Sequence, residues 1–321
     1  HSLGAFFVLN HKTPFAIGVP PVAPVLEKVR EEGALLELDK HNWPWSMMLI
    51  PILDVDLYEL SNNHIWRTQF LFKDFGLKPS STMTVEENAE GFTEWGWIQY
   101  GFENYYLLLN CGYHLRPTAG TASGVHPVPL GFGRVYVYQP KGFDYENWVA
   151  GLNSGRSFVT TGPMLPIEVN GHPAKVEIFR NDEAPTEIVL SGRALSPDPG
   201  DRIEVIKNGE IVDTIQPRND KGDRGEFVSD FSVRHEVSDS CWFAVRCFSR
   251  TPEGRIRFAH TSPSFIYYKG QPLLPKKEEV EFLIGRMENQ IEWNKVLENE
   301  AVIQEYREAL EAFQDLLEIS R

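Results

Sequence analysis

Three short runs carry residue types able to do chemistry. In LELDKHNWPW, Asp39 and His41 stand two residues apart. Side chains two apart on a strand share a face, and a carboxylate beside an imidazole is a normal mixed ligand set for zinc, manganese or iron. The plainer reading is a hydrogen-bonded Asp–His pair at a strand end. The second run, Ser61-Asn62-Asn63-His64, follows an apolar stretch. Polar groups there are costly to bury unpaired, so either Asn62 or Asn63 caps the next helical turn or the group converges on a ligand. His64 is then the member able to carry a proton. The third run, NCGYHLRPTAGTASGVHP from Asn110 to Pro127, is rich in Gly, Ser and Thr and contains His114, Arg116 and His126. That composition suits a long loop closing over a polar site. Arg116 either grips a carboxylate or phosphate with its fork or sits in an ordinary ion pair. Aromatic residues are dense between Trp43 and Tyr106; beside carboxamides they make a ligand platform, and packed together they make a core.

The elements that must position these groups follow from periodicity. GAFFVLN, a proline-rich loop at Val19 to Pro24 and VLEKVREEG open the chain. Val25, Leu26 and Val29 fall at helical spacing, with Gly33 where a C-cap belongs. ALLELDKH then reads as a strand, and LDVDLYELSNNH as a strand leading into a helical segment through Phe75. Repeated β-then-α order predicts an α/β layout with a parallel sheet or barrel over residues 1–165. In such folds functional groups collect after the carboxyl ends of strands, where Asp39, His41 and the Asn62–His64 run fall.

From about Ile167 to Tyr268 the texture changes to short alternating strands with turn signals, including Asn208-Gly209 between IEVIK and IVDTI. This predicts an antiparallel β-sandwich over 166–270. After GQPLLPKK, two apolar stripes at 3.6 spacing, Val280 to Ile291 and Val302 to Leu317, predict a helical hairpin over 271–321. The stripes pack either on the rest of the chain or against a second copy, giving a homo-oligomer. The fold class expected is therefore multidomain α/β plus all-β.

Composition bounds the function. The 321 residues are 42% hydrophobic and 24% charged, the make-up of a packed protein rather than a disordered chain. Lys plus Arg number 31 against 45 Asp plus Glu, a net charge of −14. Phosphate-backbone binding would oppose that field, so no nucleic-acid partner is expected. No apolar run reaches the roughly 18 residues of a membrane span. Cys111, Cys241 and Cys247 are too few and scattered for a disulfide framework or a cysteine zinc knuckle. His1 opens the chain with no signal-type segment, which leaves the compartment open; the expectation is either that an amino-terminal part has been removed or that the sequence is an excised piece.

The order LELDKHNWPW, LSNNH, YYLLLNCGYHLRPTAGTASG, GRVYVYQ and GLNSGRSFVTTGPML resembles the carboxyl-terminal two-thirds of the CehA/McbA-type metallohydrolases, relatives of the PHP phosphoesterases. The GRSFVTTGPML run and the NCG-to-TAG loop are its most specific parts. The likeness continues through VIKNGEIV and RFAHTSPSFIYY into the helical tail, so it covers nearly the whole chain. It implies a partial, distorted β/α barrel holding divalent ions through an H-x-H, further His and acidic residues and a terminal D-x-H. It also implies hydrolysis of phosphoester, ester or carbamate bonds by metal-activated water. His41 sits where the family has a mid-barrel His, and His1 where an earlier motif would end. No H-x-H occurs, however, and Thr121-Ala122-Ser123-Gly124 stands where the terminal D-x-H would fall.

Two readings follow from these departures. One is a small-molecule hydrolase with a reduced zinc, manganese or iron site using His1, Asp39 and His41, with His64 and His114 as proton carriers and Asn62, Asn63, Arg116, Thr121 and Ser123 around the substrate. The other is a catalytically degenerate protein that binds a carbohydrate-like or other polar small molecule.

Overall fold

The computed structural model describes residues 5–16, 18–39, 46–66, 78–122, 124, 127–174, 177–180 and 186–321. The chain is mixed α/β with several antiparallel sheets and six α-helices among the described residues. It divides into two compact units. The first comprises His1–Glu59, Phe72–Leu115 and Leu274–Arg321; the second comprises Leu60–Leu71 and Arg116–Leu273. The carboxyl-terminal helices therefore belong with the amino-terminal strands.

In the first unit, helix Ala23–Glu32 ends where the sequence places its cap. Gly33 takes a left-handed φ of 65°, and its N–H donates to the carbonyls of Val29 and Arg30. Strand Leu35–Asp39 then pairs antiparallel with Ala5–Leu9 and parallel with Leu57–Ser61. The sheet is thus mixed where a parallel sheet or barrel was expected, because an apolar run of five residues does not declare its direction. Arg30 ties the helix to the turn before the third strand: it donates to the Asp56 carboxylate at 2.8 Å and to that of Asp54 at 3.1 Å. Asp56 in turn accepts the Leu36 N–H.

Helix Glu94–Asn110 is buried along nearly its whole length, which explains the aromatic density of that segment. Tyr105 stacks on Tyr58 with centroids 4.9 Å apart. The Thr93 hydroxyl accepts the Gly96 N–H as an N-cap. Helices Lys277–Val296 and Glu300–Glu318 form the expected hairpin. Their stripes, including Val280, Leu283, Met287, Val302, Tyr306 and Phe313, are buried inside this unit. Arg286 donates to the Tyr100 hydroxyl, and Glu305 accepts the Val22 N–H.

The second unit is β-rich. One sheet runs His172–Pro173, Ile167–Val169, Thr186–Ser196, Phe227–Val237, Asp220–Lys221, all antiparallel. The larger sheet centres on Cys241–Arg250, flanked by Ile256–Thr261, Ser264–Tyr268 and Gly200–Lys207. Strands Ser157–Thr160 and Arg134–Val137 extend this sheet from sequence ahead of the segment read as sandwich. Asn208 and Gly209 both have positive φ, as the two-residue hairpin joining Gly200–Lys207 to Glu210–Ile215 requires. Cys241 and Cys247 share the buried face with Val245 and pack in one core with Leu190 and Phe231 of the other sheet. On the opposite face Glu204 takes Arg246 and Arg202, each at 2.6 Å.

Candidate functional site

The sequence-derived site residues fall in both units. Asp39 belongs to the first and closes its strand at the carboxyl end of the parallel pair, half-buried. Leu36 and Leu38 are fully buried, so alternation puts Glu37 and Asp39 together on the opposite face. Glu37 is in register with Leu57 of the parallel strand, which sets Glu59 on that same face one step further along. Sequence reasoning missed Glu37 and Glu59. Both are buried, and the only signal for them was a carboxylate at alternate positions of an otherwise apolar run. His41, the partner expected for Asp39, and His1 lie outside the described residues, as does Ser123. Among the described residues no three His, Cys, Asp or Glu side chains form a group that could hold a metal ion.

His114, half-buried, lies in the first unit, one residue before its boundary at Leu115. Asn62, Asn63 and His64 belong to the second. Asn62 is the cap of a short 3-10 turn, Asn63–Ile65, and its side-chain oxygen accepts the His64 N–H at 3.0 Å. The capping alternative is thus what Asn62 does. The preceding Ser61 is fully buried; its carbonyl accepts the Gly120 N–H, while its hydroxyl has no hydrogen-bond partner among the described residues. A buried hydroxyl left so costs free energy, and such groups concentrate where a fold is doing more than packing. Arg116 begins strand Arg116–Ala119, is buried, and donates to the Asn153 side chain at the end of helix Tyr145–Asn153. Thr121 lies two residues beyond that strand.

No thiol here is poised as a nucleophile. Burial, joined at Cys111 by the Glu279 charge, pushes that thiol well up, and burial raises Cys241 and Cys247 to about 12. His260 is the opposite case: it is fully buried against the Thr261 carbonyl at 2.7 Å, and burial lowers it to about 3.

One concave feature of the second unit is a cavity of about 600 Å³ lined from both sheets. Arg134–Val137 and Ser157–Thr160 supply Tyr136 and Phe158; Thr186–Ser196 supplies Ser191 and Arg193. Such a volume suits a small organic ligand. Among the described residues no helix is long and apolar enough to cross a membrane. Searches of family models, of curated proteins and of solved structures each return no match to this chain.

Proposed function

We propose that the chain is a member of the CehA/McbA-type metallohydrolases, related to the PHP phosphoesterases, acting on a phosphoester, ester or carbamate. The observation that carries this reading is the position of Asp39. It ends a strand at the carboxyl edge of a parallel pair, with Glu37 on its face and His41 two residues on. Loops leaving such edges are where α/β folds hold their ligands.

The donor chemistry fits a divalent ion. Carboxylate oxygen from Asp39 with imidazole from His41 and His1 suits zinc, manganese or iron. When bound, such an ion lowers the pKa of water toward neutrality and so supplies a nucleophile. The chain's own contribution is to fix the donors and move protons. Asp39 is held by its strand. His114, in the same unit, is the candidate for moving a proton.

The test is elemental analysis for zinc, manganese and iron on the wild-type chain and on Asp39→Ala/His41→Ala, followed by turnover of a chromogenic ester with each ion added. Near-stoichiometric metal in the wild type, lost in the double variant, supports the reading. His114→Gln should then lower turnover about a hundredfold while metal content stays. Two chains equally free of metal after incubation with excess ion would overturn it.

A further inference from the structure

The cavity of the second unit is lined by an edge strand of each sheet. Tyr136 comes from Arg134–Val137, last of the larger sheet, and Pro173 from His172–Pro173, last of the smaller. Between these edges the lining is apolar. Phe158, Leu165 and Ala174 belong to the buried core between the sheets, and Met164 and Ile167 pack against it. The Tyr136 ring lies nearly parallel to that of Phe158, centroids 5.3 Å apart and planes 13° apart. Pairing continues to Tyr138, whose N–H donates to the Arg156 carbonyl at 2.8 Å, so alternation sets both tyrosines on one face. Tyr136 is 36% and Tyr138 52% exposed. Two neighbouring rings are thus left in water beside an apolar cavity.

The polar groups around the cavity are engaged or face outward. Arg193 donates to both oxygens of Asp230, at 2.6 and 3.2 Å. The Thr261 hydroxyl accepts the Val245 N–H at 3.0 Å, and the Ser157 and Ser262 hydroxyls share a hydrogen bond of 2.9 Å. Gln139 is taken up by the Asp144 backbone, accepting its N–H at 3.1 Å and donating to its carbonyl at 3.2 Å. Arg156 turns toward helix Tyr145–Asn153: Nε donates to the Ser154 hydroxyl at 3.0 Å, and Nη2 lies 3.8 Å from where a Cβ on Gly151 would stand. Glu168 alternates with Ile167 and Val169, which pack into the core, so its carboxylate belongs to the opposite, solvent-exposed face. Among the described residues, no side chain lining the cavity holds a buried polar atom without a partner. A charged or hydroxyl-rich ligand would leave water for groups already committed elsewhere, whereas an apolar one gains by leaving it.

We infer that this cavity binds an uncharged, largely apolar ring compound, its ring laid against Tyr136 and Tyr138 and its far edge among Leu165, Ile167 and Ala174. The volume of about 600 Å³ is that of a small organic ligand. The site requires no metal and stands whether or not the first unit is a hydrolase.

The experiment is calorimetric titration of the full chain with p-cresol, with benzoate and benzylammonium, which keep the ring but carry opposite charges, and with D-glucose, neutral but hydroxylated. It is repeated on Tyr138→Ala, which removes one ring, and on Ala174→Phe, which fills the cavity; melting temperatures without ligand report folding. The expected result is saturable binding of p-cresol, about tenfold or more weaker for either charged ring and for glucose. Tyr138→Ala should weaken p-cresol binding about two- to tenfold, the worth of one aromatic contact, and Ala174→Phe should abolish it, both at unchanged melting temperature. Absence of saturation with p-cresol would overturn the inference, as would benzoate, benzylammonium or glucose bound as tightly. Binding of p-cresol that neither substitution alters would place it elsewhere and overturn it too. Should Ala174→Phe melt early, the double variant Tyr136→Ala/Tyr138→Ala serves in its place and must weaken p-cresol binding more than Tyr138→Ala alone.

Discussion

Asn110, the last residue of its helix, donates from its side-chain nitrogen to both carboxylate oxygens of Glu279, at 2.9 and 3.1 Å, joining residues 169 apart in sequence. Both side chains are buried. A hydrogen bond to a charged group is worth about 1.5–3 kcal/mol, and a buried carboxylate deprived of a donor also bears its desolvation cost. Asn110→Ala should therefore lower unfolding free energy by about 2 kcal/mol in urea titration. Glu279→Gln, which keeps an acceptor but removes the charge, should cost less than Glu279→Ala.

Two helical glycines should respond to the same substitution with opposite signs. A Cβ at Gly96 would stand 1.8 Å from the Glu86 carbonyl oxygen, so Gly96→Ala must displace backbone. A loss of at least about 2 kcal/mol is expected. Gly285, inside helix Lys277–Val296, has nothing within 4 Å of that position. Gly285→Ala should stabilise by about 0.5–1 kcal/mol through helix propensity. Thermal unfolding of both variants tests the pair, and equal effects would contradict the close approach at Gly96.

His260 sets a pH dependence whose sign is fixed. Its folded pKa of about 3 lies below the ordinary value near 6.5, so between these limits the unfolded chain binds the extra proton. Stability from this group is therefore complete above about 6.5 and falls as pH drops through that window, by up to about 1.4 kcal/mol per unit. Arg246 adds to the shift in the same direction. Unfolding free energy of the wild type should decline more steeply from pH 7 to 5 than that of His260→Gln. Parallel slopes would remove His260 as the cause.

Arg116 and Asn153 should behave as a coupled pair in the second unit. Asn153→Ala leaves a buried guanidinium short of an acceptor, and Arg116→Ala removes the donor. The double variant should then cost less than the two single losses added, with a coupling of about 1 kcal/mol or more. Additive losses would show that the contact carries no coupling.

Local signals were legible where local geometry decides the structure. Gly33 and Asn208-Gly209 needed positive φ, and both turns form where those residues stand. The even spacing of Cys241 and Cys247 put both thiols on one buried face. Pairing between distant segments was not legible. Nothing in AFFVL states that it runs antiparallel to LLELD, nor in RVYV that it edges the sandwich sheet, since each run is compatible with either direction and either neighbour. At the candidate site, Asp39 and the Asn62 cap were readable from residue type and position. Glu37 and Glu59 were not, because a buried carboxylate and a solvent-facing one look alike in an alternating strand.

The division of the chain sets an order of synthesis. The ribosome finishes the second unit's last strand, Ser264–Tyr268, while the first unit still lacks both closing helices. Val22 then waits some 283 residues for Glu305, and Asn110 waits 169 for Glu279. A contact so distant in sequence brings its closure cost long before its reward. During translation the early strands and the apolar helix Glu94–Asn110 must stay uncovered beside a β-rich unit that can already have closed. The nascent protein is therefore most exposed to chaperones and proteases through its first third, and its last fifty residues act as the clasp that ends that exposure.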